Sequence, residues 1–226
     1  MKNRAIRRVK RWVRATLRKD PDWFLKHARG VIHIGANAGQ ERDLYQDYGL
    51  RVVWIEPVPE VFSSLVENIR HHPNQTAFQY LVSDQDDTEC AFHVANNAGA
   101  SSSLLEFKLH KQIWPEVSYN RTITLRSITL GSLLQRECID LREYDALVLD
   151  TQGSELRVLQ GAAPILQSFR FIKTEVPDFE SYADCCQIKD IDAFVSQYGF
   201  QEISRHSYPG PAEIGNYYDV VYRRKC

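Results

Sequence analysis

The 226-residue sequence predicts an α/β fold, a seven-stranded and mainly parallel sheet closed by a C-terminal antiparallel hairpin. Three observations carry this expectation. Apolar runs of strand length alternate with amphipathic runs of helix length from Gly30 onward. The early runs, Val31-Ile32-His33-Ile34 and Val52-Val53-Trp54-Ile55, lack polar alternation, as strands do when helices cover both faces of a sheet. The last two runs are joined by the turn-rich Ser207-Tyr208-Pro209-Gly210-Pro211, which suits a hairpin better than a crossover.

The first element stands apart from the rest. Residues 1–19 hold nine Lys/Arg and no acid, leaving 19 basic against 29 acidic side chains, a net of −10, in the remainder. On a helical wheel Ile6, Val9, Val13 and Leu17 share a face with Trp12 at its edge, opposite Arg4, Arg7, Arg8, Arg11, Arg14 and Arg18. Residues 1–22 therefore read as a basic amphipathic helix preceding one domain over residues 23–226. Such a helix suits peripheral contact with an anionic membrane, or else packs its stripe on the domain and turns its arginines to solvent or to a second copy of the chain. The acidic body excludes nonspecific nucleic-acid binding.

Strands are expected near 31–35, 51–56, 77–82, 144–150, 170–176, 200–205 and 217–222, and helices near 40–48, 59–71, 129–137, 154–167 and 187–198. The first strand runs into Gly35 and Gly39 ahead of a helix, a turn in which backbone N–H groups can approach a ligand that a Cβ would push away. The second strand ends in Glu56, about 20 residues later, where a ribose-binding acid falls in a nucleotide-binding βαβ unit. Gly-x-x-x-Gly differs from the Gly-x-Gly-x-x-Gly of pyrophosphate binders and points to an adenosine cofactor without phosphate.

Between the third and fourth strands, residues 86–127 form an insertion. Cys90–Val94 and Arg121–Arg126 alternate like solvent-edge strands, and Asn96 to Ser103 is small and polar, favouring a flexible loop that could recognise a hydroxylated substrate. The fourth strand ends in Asp150, with Ser154 placed as N-cap of the next helix, and the fifth ends in Glu175. Open α/β sheets bind ligands at these carboxyl ends.

With 43% hydrophobic residues the chain can bury one sizeable core. Five cysteines, at 90, 138, 185, 186 and 226, show no zinc spacing and read as reduced thiols of a cytoplasmic protein. No signal peptide or membrane span is visible in the sequence.

Ile34-Gly35-Ala36-Asn37-Ala38-Gly39, Trp54-Ile55-Glu56-Pro57, Ser83-Asp84, Gly99 to Leu105 and Leu149-Asp150-Thr151-Gln152-Gly153-Ser154-Glu155 through Gly161-Ala162 resemble, in the same order, the FkbM-type S-adenosylmethionine-dependent methyltransferases. The resemblance covers the chain from about residue 30 onward. It implies a Rossmann-like class I methyltransferase sheet, with Gly35, Ala36 and Gly39 bordering the amino-acid part of S-adenosylmethionine. Glu56 would hold the ribose hydroxyls, Ser83 and Asp84 would lie at the adenine edge, and Asp150 would lie near the sulfonium and the substrate. His33, Asn37, Glu41, Pro57, Ser102, Thr151 and Gln152 complete the expected cofactor-binding set. His33 stands where this family usually carries an acid, and Glu41, in the first turn of the following helix, is the carboxylate available to replace it.

The implied reaction is O-methylation, with a sugar hydroxyl of a glycan or glycosylated metabolite as the expected acceptor. Asp150, Glu175 and His93 are the candidates for removing the hydroxyl proton. Asp150 and Glu175 could instead share a divalent cation. An NAD-type oxidoreductase is the alternative enzyme, though no Tyr/Lys hydride site is recognisable, and a non-catalytic cofactor-binding module is the alternative outside enzymes. A homo-oligomer is compatible with every one of these readings.

Overall fold

The computed structural model describes residues 21–209 and 213–225. The predicted basic helix and the tip of the C-terminal hairpin fall outside the described residues. Strands β1 (Gly30–Ile34), β2 (Arg51–Ile55), β3 (Gln75–Phe78), β7 (Ala146–Leu149), β8 (Phe171–Pro177), β9 (Phe200–Pro209) and β10 (Asn216–Arg224) form one sheet. Their order is β3-β2-β1-β7-β8-β10-β9. All pairings are parallel except those of β10, which runs antiparallel to both β8 and β9. The predicted architecture is the observed one.

Every residue of β1 is buried, because the strand lies inside the sheet with helices on both sides. Ile32 and Ile34 face a core shared with α4 (Leu130–Arg136), α5 (Glu155–Gly161) and α6 (Ile188–Ser196). Val31, Val52 and Trp54 face the other core, closed by α1 (Arg42–Asp47), α2 (Pro59–Ile69) and the short 3-10 helix Trp23–His27. Helix α2 shows the logic of these elements: Pro59 occupies its first turn, where a missing N–H costs nothing, and Val61, Leu65 and Ile69 recur at i, i+4 as its buried stripe. Helix α4 starts at Thr129, whose hydroxyl accepts the N–H of Ser132, and α6 starts in a Gln187/Asp190 capping box.

Three expectations are corrected. The third strand does not run through residue 82: it stops at Phe78, and β4 (Leu81–Val82) turns away to pair with β6 (Tyr119–Ile128). The helix expected over 154–167 ends at Gly161 and continues as the 3-10 turn Ala163–Ser168, because Pro164 has no N–H to continue the ladder. The insertion is not flexible at its serines. Strands β5 (Glu89–Ala95) and β6 pair antiparallel, and Ser101, Ser102 and Ser103 between them are buried, with Ser103 donating to the Gln152 carbonyl at 2.8 Å. A four-residue helix, α3 (His110–Ile113), also lies between β5 and β6. No helix among the described residues is long and apolar enough to cross a membrane.

Candidate active site

The chain leaves β1 on one side toward β2 and β3 and returns to its other side as β7, so the loops after β1 and β7 part above the sheet. This is the topological switch point at which open α/β sheets bind ligands. A cleft of about 860 Å³ opens there.

Its floor is the β1 turn. Gly35 has φ +80°, and a Cβ at this position would lie 1.8 Å from the Asp150 carbonyl oxygen. The bare backbone is thus required by the crossing of β1 and β7, and it exposes the turn to the cleft. Gly39 has a different task. It does not line the cleft, and a Cβ there would strike Leu65 of α2 at 2.7 Å, so its lack of side chain serves helix packing. Ala36, Asn37 and Glu41 do line the cleft, as do Gly35 and His33.

Glu56 is 6% exposed at the end of β2. One of its carboxylate oxygens accepts the Asn37 N–H at 2.9 Å and the other accepts the Val58 N–H at 3.0 Å. It thereby ties the β1 turn to the start of α2 while facing the cleft. Burial pushes its carboxyl up to about 7, against those two hydrogen bonds and with a smaller push from Asp150.

Asp150 stands opposite, at the end of β7. The Gln152 amide donates to its Oδ1 at 2.6 Å, and the Tyr182 hydroxyl donates to the Gln152 Oε1 at 2.6 Å, which fixes the amide's orientation. Glu155 organises the same loop. Its carboxylate, 1% exposed, accepts the N–H groups of Thr151 at 2.8 Å and of Gly153 at 3.0 Å. Ser154 does not cap α5 with its hydroxyl, which donates to the Thr151 carbonyl at 3.1 Å instead. Gln152 and Gly153 have φ of +54° and +101°, a reversal that the Glu155 carboxylate holds in place. Asp150 and Glu175 are both pushed up by burial, and each raises the other or is raised by the acids around it, namely Glu155, Glu41 and Asp219.

His33 is a neutral, packed residue. It stacks on Trp54 with centroids 5.0 Å apart, and its Nδ1 lies 3.0 Å from the Tyr45 hydroxyl. Burial, with a contribution from Lys173, lowers it to about 3, so it contributes no charge to the cleft near neutral pH. The Glu41 carboxyl is raised by burial. Lys173, the buried cation nearby, is already held by Asp22 at 2.7 Å and by Asp219 at 3.8 Å.

Of the residues singled out from sequence, Pro57, Ser102, Thr151 and Gln152 also line the cleft. Ser83, Asp84, Glu175 and His93 do not. Ser83 is buried, with its hydroxyl donating to Asp84 at 2.9 Å and its carbonyl against Gly161, while Tyr80, Leu81 and Val82 form that wall of the cleft. His93 faces the insertion. Its Nδ1 lies 3.0 Å from the Thr122 hydroxyl, its Nε2 lies 3.3 Å from Glu106, and its ring stacks on Tyr119. Phe92 on the same strand lines the cleft without having been singled out, and Gly99 and Ala100, which open the Gly99 to Leu105 motif, line it too. Among the described residues no group of three or more His, Cys, Asp or Glu is placed to hold a metal ion, and the four described cysteines are free thiols.

A bare β1 turn at the switch point, flanked by a buried acid ending β2 and a half-buried one ending β7 on a seven-stranded sheet with an antiparallel hairpin, defines a class I methyltransferase fold. Residues 33–202 match the family model of the methyltransferase FkbM domain. The chain belongs to that family. Two solved structures share the fold. An uncharacterized protein from Listeria monocytogenes serotype 4b aligns with TM-score 0.52 at 11% identity, over 91% of this chain and 65% of that one. The METTL16 methyltransferase domain aligns with TM-score 0.53 at 10% identity, over 91% of this chain and 65% of that one. The chain thus spans somewhat less than two thirds of the length of each. No curated protein matches it.

Proposed function

We propose that this protein transfers the methyl group of S-adenosylmethionine to a hydroxyl oxygen, with a sugar ring as the acceptor. The observation that carries the reading is the pair Glu56, buried at the end of β2, and Asp150, half-buried at the end of β7, which face one cleft across the bare turn at Gly35. The chemistry of the cleft fits the cofactor. Glu41, Glu56 and Asp150 line it, all three raised by burial, and Lys173, a cation near them, is bonded to Asp22 and close to Asp219. A ligand that brings its own ammonium and sulfonium charges supplies what these carboxyls lack.

When bound, S-adenosylmethionine supplies an electrophilic methyl carbon whose bond to sulfur breaks as the acceptor oxygen bonds to it, the electron pair leaving with sulfur. Glu56 accepts the ribose hydroxyls with the lone pairs not taken by Asn37 and Val58. With His33 neutral, Glu41 supplies the carboxylate for the ammonium end. Asp150 takes the acceptor's proton. Gln152 engages Oδ1 and leaves Oδ2 for the hydroxyl. Alignment of acceptor and methyl supplies much of the acceleration, a term that can reach ~7–11 kcal/mol.

The test is calorimetry with S-adenosylmethionine, followed by mass detection of a 14-dalton gain on neutral sugar acceptors, a mass fixed by exchanging hydrogen for methyl. Saturable cofactor binding and a methylated hydroxyl are the expected results. No cofactor binding removes the reading entirely, and methylation of nitrogen alone removes the hydroxyl acceptor.

A further inference from the structure

The end of the sheet opposite the cleft carries the reverse charge. Strand register defines that end: Gly30, Arg51, Ala146 and Phe171 start β1, β2, β7 and β8, and Arg223 and Arg224, near the end of β10, lie across from Phe171 and Phe200. The cleft opens at the other ends of the same strands, one strand length away, roughly 17 Å for a strand such as β1. Some cations at the far end are neutralised locally. Arg29 meets Asp145 through its backbone N–H at 2.7 Å and its guanidinium at 3.2 Å, Arg51 lies 3.5 Å from Glu143, and Arg142 pairs with Asp140 at 2.7 Å.

The surplus is Lys26, Arg170, Arg223, Arg224 and Lys225, which form no ion pair among the described residues. Their placement is built rather than scattered. The Arg170 guanidinium donates to the His27 carbonyl at 3.2 Å and lies over Phe171, 4.9 Å from the ring centroid. Arg224 donates its backbone N–H to the Arg170 carbonyl at 3.0 Å and its Nε to the Phe169 carbonyl at 3.1 Å. These bonds fix both guanidinium groups at the surface, with Lys26 in the last turn of the Trp23–His27 helix beside them and with Arg223 and Lys225 flanking Arg224. Lys26, Arg170, Arg223 and Lys225 are exposed. Beyond residue 19 the chain holds 19 basic against 29 acidic side chains, so acids to intersperse were plentiful, and cations left together repel one another. An anionic partner removes that repulsion.

Two features select a bilayer over a nucleic acid. The large apolar side chains exposed among the described residues are Val66, Trp114 and Tyr208, none of them at this end, so no exposed indole, phenol or phenyl ring is offered to a base. The chain also reaches this surface from a segment of matching character: residues 1–19, with nine Lys/Arg, no acid and the apolar set Ile6, Val9, Val13 and Leu17, lead through Pro21 into the helix that carries Lys26. A polybasic surface and an apolar, basic segment are each weak membrane anchors, and together they hold a protein on an anionic bilayer.

We infer that the strand-start end of the sheet, together with residues 1–19, docks on an anionic lipid surface and leaves the cleft open on the side away from it. This docking goes beyond the methyl-transfer reading and does not depend on it.

The test uses the full chain and co-sedimentation with vesicles of phosphatidylcholine, with and without phosphatidylserine. Binding is expected only with phosphatidylserine and is expected to weaken as salt is raised. A surface cation contributes about five-fold to such binding, so Lys26→Gln, Arg223→Gln and Lys225→Gln combined are expected to weaken it about 100-fold. The melting midpoint and the S-adenosylmethionine affinity of that variant are expected to stay those of the parent, because the three side chains are exposed and lie at the end away from the cleft. A folded triple variant that binds as the parent does overturns the surface and leaves any membrane contact to residues 1–19. Equal binding to phosphatidylcholine alone, or no vesicle binding at all, overturns the docking, and capture by single-stranded RNA without capture by vesicles overturns the bilayer as partner. None of these outcomes bears on cofactor binding, which is measured separately in the cleft.

Discussion

Glu56 is held between two demands. Its charged form is costly in the folded protein, yet that form is the one that accepts two backbone N–H groups and, in the function proposed above, the ribose hydroxyls. Glu56→Gln keeps one carbonyl oxygen and turns an amide N–H₂ toward either Asn37 or Val58, each of which is itself a donor. A lost charged hydrogen bond costs about 1.5–3 kcal/mol, so S-adenosylmethionine affinity is expected to fall roughly 10- to 100-fold by calorimetry. Undiminished affinity would take Glu56 out of the cofactor site. Tyr182 acts one step further from the chemistry, as a positioning residue. Its hydroxyl orients the Gln152 amide, whose N–H in turn favours the charged form of Asp150. In Tyr182→Phe the amide is free to rotate and the Asp150 carboxyl rises further, so the acid limb of the kcat/KM profile is expected to move to higher pH. A uniform loss of rate with an unmoved limb would assign Tyr182 to packing alone.

At the scale of elements, the close approach of α5 to the β4 end is set by one residue. A Cβ at Gly161 would lie 2.1 Å from the Ser83 carbonyl oxygen, a backbone atom that cannot swing aside. Replacing a helical glycine by alanine ordinarily gains up to about 1 kcal/mol. Here overpacking, typically costing about 1–3 kcal/mol and more against rigid backbone, wins. Gly161→Ala is expected to lower the melting midpoint by roughly 2–10 °C, and a midpoint that rises would show that α5 can shift.

This element also shows where sequence was legible. The Gly35 turn, Glu56 and Asp150 could be read because each ends an apolar strand, and strand ends are visible in a hydropathy pattern. Their convergence on one cleft followed from topology. The helix end at Gly161 was missed although Pro164 announced it, since the apolar period runs on through Ile165 and Leu166. Alternation in β5 separated two faces without saying which one meets the cleft. His93 was singled out for its chemistry, whereas Phe92 lines the cleft and His93 turns toward Thr122 and Glu106. Tyr80, Leu81 and Val82 form a wall only because β4 leaves the main sheet to pair with β6, a long-range event that no local pattern records.

For the molecule as a whole, the acids that prepare the cleft for a cation should make the empty protein less stable as pH rises. A carboxyl raised in the folded state binds its proton more tightly there than when unfolded, so its contribution to stability falls as pH climbs from the unfolded value to the folded one. Glu56, at about 7, with Asp150 and Glu175 also raised, acts in this direction. His33 and His110, lowered to about 3 and about 4, act in the opposite direction, and stability rises with pH until their unfolded value of 6.5 is passed. Below pH 6.5 the two sets oppose each other, and above it only the carboxyls are left. The apo midpoint is therefore expected to fall between pH 6.5 and 8.5 by about 1–3 kcal/mol, or roughly 3–10 °C for a chain of this size. Glu175→Gln should flatten the slope by removing one titrating group. S-adenosylmethionine should flatten it more than S-adenosylhomocysteine at equal saturation, because only the former brings a sulfonium charge to the carboxyls. Calorimetric melts across this range decide the matter: a midpoint that holds steady or climbs from pH 6.5 to 8.5, or equal protection by the two ligands at pH 8.5, would mean that the buried acids are compensated within the protein and are not waiting for a cationic donor.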